Sequence, residues 1–153
     1  MAELAAFCTG TWATSAETNA GSGSWEAAAC QCLQDLEILE PDWLTLLKQW
    51  EQAPELPGFA PQDPEKLERI AVYFAFRYLL KAVNDGDLLG RAQFCALGVL
   101  VTDRLSRFVG LPEALRLFSR EIEHDEDNLA TLREQFWQTE GLSLSALLAA
   151  FCG

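Results

Sequence analysis

Residues 63–86 read DPEKLERIAVYFAFRYLLKAVNDG and carry the clearest helix start and stop signals of the chain. Asp63 is a favoured N-cap residue, and Pro64 suits the first helical position, where its missing N–H costs no hydrogen bond. Glu65 places a negative charge in the first turn, where the helix dipole stabilises it. Gly86 readily adopts the left-handed conformation that ends many helices. These signals predict a long helix that begins at Pro64 and ends shortly before Gly86.

The middle of this predicted helix is almost wholly apolar. From residue 70 to residue 83 only Arg77 and Lys81 are charged, so we expect the helix to lie in the middle of a bundle, with apolar neighbours on nearly every side. A buried guanidinium needs an acidic partner. We therefore predict an ion pair between Arg77 and either Glu121 or Glu123 of a later helix. The predicted structural polar cluster comprises Arg77, Lys81, Arg120 and Glu123.

Start and stop signals of the same kind divide the rest of the chain into helices. A stripe of Trp43, Leu46, Leu47 and Trp50 follows Pro41 at the spacing of an amphipathic helix. The other predicted helices span residues 24–39 with Ser24 as the N-cap, 87–109, 112–124, 125–138 and 144–151. No stretch alternates as a strand does. We predict an all-α, single-domain bundle of six or seven helices over residues 24–153, preceded by a flexible segment over residues 1–23.

Composition and charge exclude several functional classes. Half of the 153 residues (50%) are hydrophobic and 22% are charged, as in a globular domain and not in a disordered or collagen-like chain. Eleven basic residues against 23 acidic ones give a net charge of −12. Nucleic acids and anionic membranes bind clustered Lys and Arg, so we exclude both as direct partners. An acidic surface suits solvation, or a basic partner such as a lysine-rich segment.

The chain has five cysteines, namely Cys8, Cys30, Cys32, Cys95 and Cys152. Their odd number, with no secretory signal pattern, favours reduced thiols and a cytoplasmic location. Cys30 and Cys32 would point to opposite sides of a helix, where they cannot share one metal ion. We therefore predict no metal bound by this chain alone, and the role of Cys8, Cys30 and Cys32 stays open. No apolar run approaches the ~20 residues of a membrane span.

Glu121 and His124 form a Glu-x-x-His pattern, which places a carboxylate and an imidazole on one helix face. Di-iron bundles need this pattern twice, and His124 is the only histidine in the chain. The pair could instead act in proton transfer, with Glu121 orienting His124 as a general base. Glu121 and His124 are therefore the candidate catalytic residues, with the structural ion-pair cluster as the alternative role of this region.

Two segments carry a resemblance to a known family. Residues 73–88 read YFAFRYLLKAVNDGDL, and residues 119–129 read SREIEHDEDNL. Together they resemble the C-terminal helical region of the flagellin lysine-N-methylase family, and residues 36–43, LEILEPDW, are similar to the helix pair that precedes it. The resemblance covers about residues 30–140 of this chain.

The resemblance implies transfer of a methyl group from S-adenosylmethionine to lysine side chains of flagellin. It also implies an N-terminal cysteine cluster that holds an iron–sulfur centre, and this chain lacks that spacing. We therefore expect an accessory or C-terminal domain that is not catalytic alone and that binds neither cofactor by itself. Its expected partner is the missing N-terminal domain or a lysine-bearing protein like flagellin.

Two alternatives remain beside this expectation. In an intact methyltransferase, Glu121 or His124 would help to remove the proton from the attacking lysine, because an ammonium group cannot attack the methyl group. In a helical protein–protein interaction module, the face formed by Trp43 and Trp50 would bind a partner helix.

Overall fold

The computed structural model describes residues 25–53, 61 and 63–152, and this part of the chain contains no strand. It forms one all-α domain with seven helices longer than a single turn, which confirms the predicted fold class. The helices are α1 (Trp25–Asp35), α2 (Pro41–Gln52), α3 (Pro64–Tyr78), α4 (Leu88–Val109), α5 (Leu111–Phe118), α6 (Glu126–Gln138) and α7 (Leu144–Cys152). The predicted flexible segment 1–23 and the predicted N-cap Ser24 lie outside the described residues.

The predicted helix starts are confirmed by hydrogen bonds at the caps. The side chain of Asp63 accepts a hydrogen bond from the backbone N–H of Lys66 at 3.1 Å, at the start of α3. Asp87 accepts one from the N–H of Gly90 at 3.0 Å, at the start of α4. Gly86 has a φ of 72°, as expected of a glycine that ends a helical segment. These caps form between residues close in sequence, so local signals suffice to predict them.

Helix α4, and not α3, lies at the centre of the bundle. It contacts α2, α3, α5, α6 and α7, and every residue from 96 to 106 is buried. A Cβ atom on Gly98 would lie 3.0 Å from Cζ of Phe74, so the glycine lets α3 pack closely against α4. The outer face of α3 is exposed, with Phe76 71% accessible. The expectation that α3 is surrounded by apolar neighbours is therefore wrong.

The hydrophobic core combines the apolar stripe of α2 with an aromatic cluster. Trp43 and Trp50 are buried, at 0% and 4% exposure, which rules out the hypothesis that they form a free face for a partner helix. The ring centroids of Phe74 and Phe118 lie 5.8 Å apart, and those of Tyr78 and Phe94 lie 4.7 Å apart. These contacts join α3, α4 and α5 through edge-on aromatic packing.

Two helices end earlier than predicted. Helix α1 ends at Asp35 rather than at residue 39. Helix α5 ends at Phe118, and a π-helix over Ser119–Glu123 replaces its last predicted turn. The backbone N–H of His124 donates to the carbonyl oxygen of Ser119 at 3.0 Å, a five-residue hydrogen bond that defines the π turn. Helix α3 continues as a 3-10 turn over Leu79–Lys81 and a single α turn over Ala82–Asp85.

Cysteine chemistry agrees only in part with the sequence prediction. Cys30, Cys32 and Cys95 are free thiols, whereas Cys152 is disulfide-bonded, so the expectation that all thiols are reduced is wrong for this residue.

Over the residues that the structure describes, none of the helices has the length and apolar character needed to cross a membrane.

Candidate functional site

A nearly buried carboxylate, Glu123, joins the π-helix to α3. The Tyr78 hydroxyl donates to Oε1 of Glu123 at 2.6 Å, and the Tyr73 hydroxyl donates to the same oxygen at 3.2 Å. The Nε atom of Arg77 lies 3.8 Å from this oxygen, and the Glu123 side chain is only 4% exposed. This ion pair confirms one of the two pairings predicted for Arg77. We call Tyr73, Arg77, Tyr78 and Glu123 the Glu123 cluster.

Arg77 occupies the outer side of the Glu123 cluster. Its side chain is 40% exposed, so the expected buried guanidinium is wrong. Nε of Arg77 donates to the Tyr78 hydroxyl at 3.0 Å, and the guanidinium carbon lies 5.6 Å from the centroid of the Tyr78 ring. Burial, and then the hydrogen bond to Glu123, raise the pKa of Tyr78. The buried members of the cluster are thus the acid and the phenol, with the cation towards solvent.

Glu121 makes contacts of a different kind. It is fully buried, and its two carboxylate oxygens accept hydrogen bonds from the backbone N–H groups of Leu39 at 2.9 Å and Glu40 at 2.6 Å. The alternative pairing of Arg77 with Glu121 is therefore wrong. Because both oxygens are engaged with backbone donors at the start of α2, Glu121 fixes the α1–α2 connection to the π-helix. That geometry leaves no oxygen directed at a substrate.

Asn128 reinforces the attachment made by Glu121. Its Oδ1 accepts from the N–H of Glu37 at 2.9 Å, and its Nδ2 donates to the Glu37 and Glu121 carbonyl oxygens at 2.8 and 2.9 Å. The Asn128 side chain thereby makes two hydrogen bonds with the backbone of Glu37, in the α1–α2 connection, and a third with the backbone of Glu121, in the π-helix. The sequence alone does not point to Asn128, because its partners Glu37 and Glu121 lie far from each other along the chain.

Three other predicted site residues are not members of the Glu123 cluster. Arg120 pairs with Glu40, with Nε 2.7 Å from the carboxylate oxygen, so it belongs to a separate surface pair. Lys81 is exposed, and its Nζ lies 5.6 Å from the centroid of the Tyr78 ring. His124 is exposed, and within the described residues its imidazole makes no hydrogen bond with Glu121. The structure therefore does not bring the candidate catalytic pair together through a hydrogen bond.

The outer face of α3 and its continuation carries a line of exposed apolar side chains. Val72, Phe76, Leu80 and Val83 follow one another at helical spacing, and Val83 is 88% exposed. We call these four residues the α3 apolar stripe. The prediction of a central helix placed them among apolar neighbours, because their spacing alone does not show which side of a helix is covered.

Comparison with known proteins yields no match to this chain among protein families, curated proteins or solved structures. Among the residues that the structure describes, no group of three or more His, Cys, Asp or Glu side chains is placed to hold a metal ion. Burial is the main cause that raises the pKa of Cys30 to about 12 and that of Cys32 to about 11. Both groups therefore stay protonated near neutral pH.

Proposed function

We propose that this chain is a helical accessory domain that is not catalytic alone. Its proposed partner is the domain with the cysteine cluster in a protein of the flagellin lysine-N-methylase type, bound through the α3 apolar stripe. The observation that carries the proposal is the stripe itself. Contiguous exposed apolar side chains of this size are typical of interaction surfaces, because leaving them in water is unfavourable. Covering one side chain such as Phe76 contributes about 1.5–3 kcal/mol.

The positions of the two segments that resemble the family support this proposal. Tyr73, Arg77 and Tyr78 come from the first segment, and Glu123 comes from the second. Their side chains meet in one cluster directly beside the α3 apolar stripe, because Tyr73 and Arg77 each follow a stripe residue in sequence. The first segment thus contributes three of the four stripe residues and three members of the Glu123 cluster, and the second segment contributes Glu123, whose side chain is nearly buried.

We assign the chemistry of methyl transfer to the partner domain. That domain would hold S-adenosylmethionine and the iron–sulfur centre in the cytoplasm, and the acidic surface of this chain would favour approach of a lysine-bearing protein such as flagellin. The hydrogen bonds of Glu121 support a structural role for this residue and not the role of a base. The hypothesis of an intact methyltransferase predicts heat on titration with S-adenosylmethionine, whereas the accessory domain gives none.

The alternative is a helical interaction module whose partner is unrelated to methylation. The same stripe favours it, because exposed apolar surface does not specify the chemistry of the partner. The two hypotheses differ in whether a cysteine-cluster protein binds and whether methyl transfer to lysine depends on the complex.

The test is co-purification with a cysteine-cluster protein of the flagellin lysine-N-methylase type. Phe76→Glu places a charge in the stripe, and Trp137→Glu is the matched control, because Trp137 is 74% exposed on α6. We expect a stable complex with the wild-type chain and with Trp137→Glu, and none with Phe76→Glu. We expect radioactive methyl groups to be transferred to flagellin lysines with the wild-type chain and with Trp137→Glu, and not with Phe76→Glu.

Two results would contradict the proposal. A complex that survives Phe76→Glu removes the stripe as the docking surface, provided that circular dichroism shows both variants folded. A complex that forms normally but leaves lysine methylation unchanged favours the general interaction module instead.

A further inference from the structure

A small cavity lies where the turn after α3, the start of α4 and the middle of α6 meet. Its volume is about 110 Å³, against roughly 30 Å³ for one water molecule in the liquid, so it accommodates a group of a few heavy atoms. The lining residues are Tyr78, Lys81, Gly90, Arg91, Phe94, Leu129 and Arg133.

Three cations converge on this cavity in a chain whose net charge is −12. They are Lys81, Arg91 and Arg133, and each comes from a different helical segment. Only 11 basic residues occur in the whole sequence, so a random surface of this protein would be acidic. The convergence of positive charge here is therefore a specific feature of the fold.

The neighbouring carboxylates hold two of these cations in place but do not neutralise all three. Asp85 accepts a hydrogen bond from Nε of Arg91 at 3.0 Å and lies 4.0 Å from Nη2 of Arg133. Asp87 forms an ion pair with Arg133. Two acids against three cations leave one net positive charge.

Lys81 is the cation without a carboxylate partner among the described residues. Its Nζ lies over the ring of Tyr78, the residue whose hydroxyl is held by the Glu123 cluster. An ammonium group in this position can turn towards the cavity at little cost, because no ion pair has to be broken first. The start of α4 also lines the cavity at Gly90, whose N–H already donates to the side chain of Asp87.

We propose that this cavity binds a phosphate group, either as the free ion or as the terminal group of a small phosphate monoester. Arg91 donates from Nε and Nη2 to Asp85 and from Nη1 to the Tyr78 carbonyl oxygen. Arg133 pairs with Asp87 through Nη2. The remaining N–H groups of the two guanidinium groups would donate to the phosphate oxygens. Lys81 would close over the anion as a mobile point charge. The aromatic side chains of Tyr78 and Phe94 line one side of the cavity.

The test is isothermal titration of the full chain with inorganic phosphate and, separately, with phosphoserine, at constant ionic strength. Lys81→Met removes the unpaired charge from an exposed side chain and should leave the fold intact. Lys66→Met is the matched control, because Lys66 carries the same charge on α3, is 65% exposed and pairs with Asp63. We expect Lys81→Met to weaken phosphate binding about tenfold or more, as loss of a charged hydrogen bond does, and Lys66→Met to leave it unchanged.

The two ligands separate the two sources of phosphate. Tighter binding of inorganic phosphate identifies the free ion, and tighter binding of phosphoserine identifies an attached phosphate group. If Lys81→Met and Lys66→Met lose equal affinity for phosphate, the effect is one of overall charge and the proposed site is wrong. An absence of heat with both ligands at millimolar concentration would overturn it as well. These outcomes do not depend on whether the α3 apolar stripe binds a partner.

Discussion

Replacing Glu121 by alanine tests the role that the structure gives to this carboxylate. Glu121 is fully buried and accepts hydrogen bonds from the N–H groups of Leu39 and Glu40 at 2.9 and 2.6 Å. Glu121→Ala leaves both donors without the buried carboxylate that accepts their hydrogen bonds at the start of α2. The variant should therefore lose stability even though Glu121 pairs with no cation in the described part of the chain.

The magnitude follows from the two hydrogen bonds. A hydrogen bond to a charged group contributes about 1.5–3 kcal/mol, so Glu121→Ala should lower the free energy of unfolding by about 3–6 kcal/mol. That loss is a large part of the roughly 5–15 kcal/mol typical of a domain. Glu121→Gln keeps one acceptor oxygen but turns an amide N–H towards the other donor, so it should cost about half as much.

Urea denaturation followed by far-UV circular dichroism measures these differences. Arg77→Met is the control, because Arg77 is 40% exposed and lies 3.8 Å from Glu123, which keeps the two tyrosine hydroxyls as donors. The expected loss is therefore near that of an exposed ion pair, about 0–1 kcal/mol. We expect the order Glu121→Ala, then Glu121→Gln, then Arg77→Met, from the largest loss to the smallest. A Glu121→Ala variant as stable as Arg77→Met would refute the reasoning, since the two backbone donors would then have other acceptors.

Three further predictions concern packing, pH and thiol reactivity. Gly98→Ala should cost about 1–3 kcal/mol in thermal or urea unfolding, because the new Cβ would lie 3.0 Å from the ring of Phe74. The folded-state pKa of Tyr78 is raised by burial and by Glu123, so its contribution to stability is complete below the ordinary tyrosine pKa of about 10 and is lost as the pH rises further. Tyr78→Phe should therefore lose less stability than the wild type does between neutral and alkaline pH, as measured by urea unfolding at each pH. Cys30 and Cys32, with pKa values raised to about 12 and 11, should react with a thiol reagent at neutral pH only when the protein unfolds.

Each of these predictions has an outcome that contradicts it. A neutral Gly98→Ala variant would show that Phe74 moves aside without cost. Parallel pH profiles for the wild type and Tyr78→Phe would mean that the phenol titrates as it does in water. Rapid labelling of Cys30 in the native protein would show that its helix opens well below the free energy of global unfolding.

The all-α class, the capped helix starts and the stop at Gly86 were predictable because their causes are local. Asp63 and Asp87 cap helices through hydrogen bonds to residues three positions away. Gly86 ends its segment through its own backbone conformation. The π-helix over Ser119–Glu123 was not predictable in the same way, since one additional residue in a turn leaves no mark in the apolar spacing.

The depth of each helix in the bundle was harder to predict than its ends. The segment around Phe76 is apolar all round, and this pattern is typical of a central helix as well as of a surface helix with a binding face. The central position belongs to α4, where residues 96–106 are all buried. The cations Arg91 and Arg133 were missed as a site for a related reason, because they are 42 positions apart by their residue numbers and meet only through the packing of α4 against α6.

The pairing of Arg77 with Glu123 was predicted correctly from a premise that was partly wrong. The premise was that a buried arginine needs an acid, whereas the buried partner is Glu123, at 4% exposure. A desolvated carboxylate needs donors as much as a desolvated guanidinium needs acceptors. The hydroxyls of Tyr73 and Tyr78 donate hydrogen bonds to Glu123, at 3.2 and 2.6 Å, and Arg77 lies farther away, at 3.8 Å. The requirement for a partner is thus symmetrical between the two charges, and a sequence that shows which residues must meet does not show which of them is kept from water.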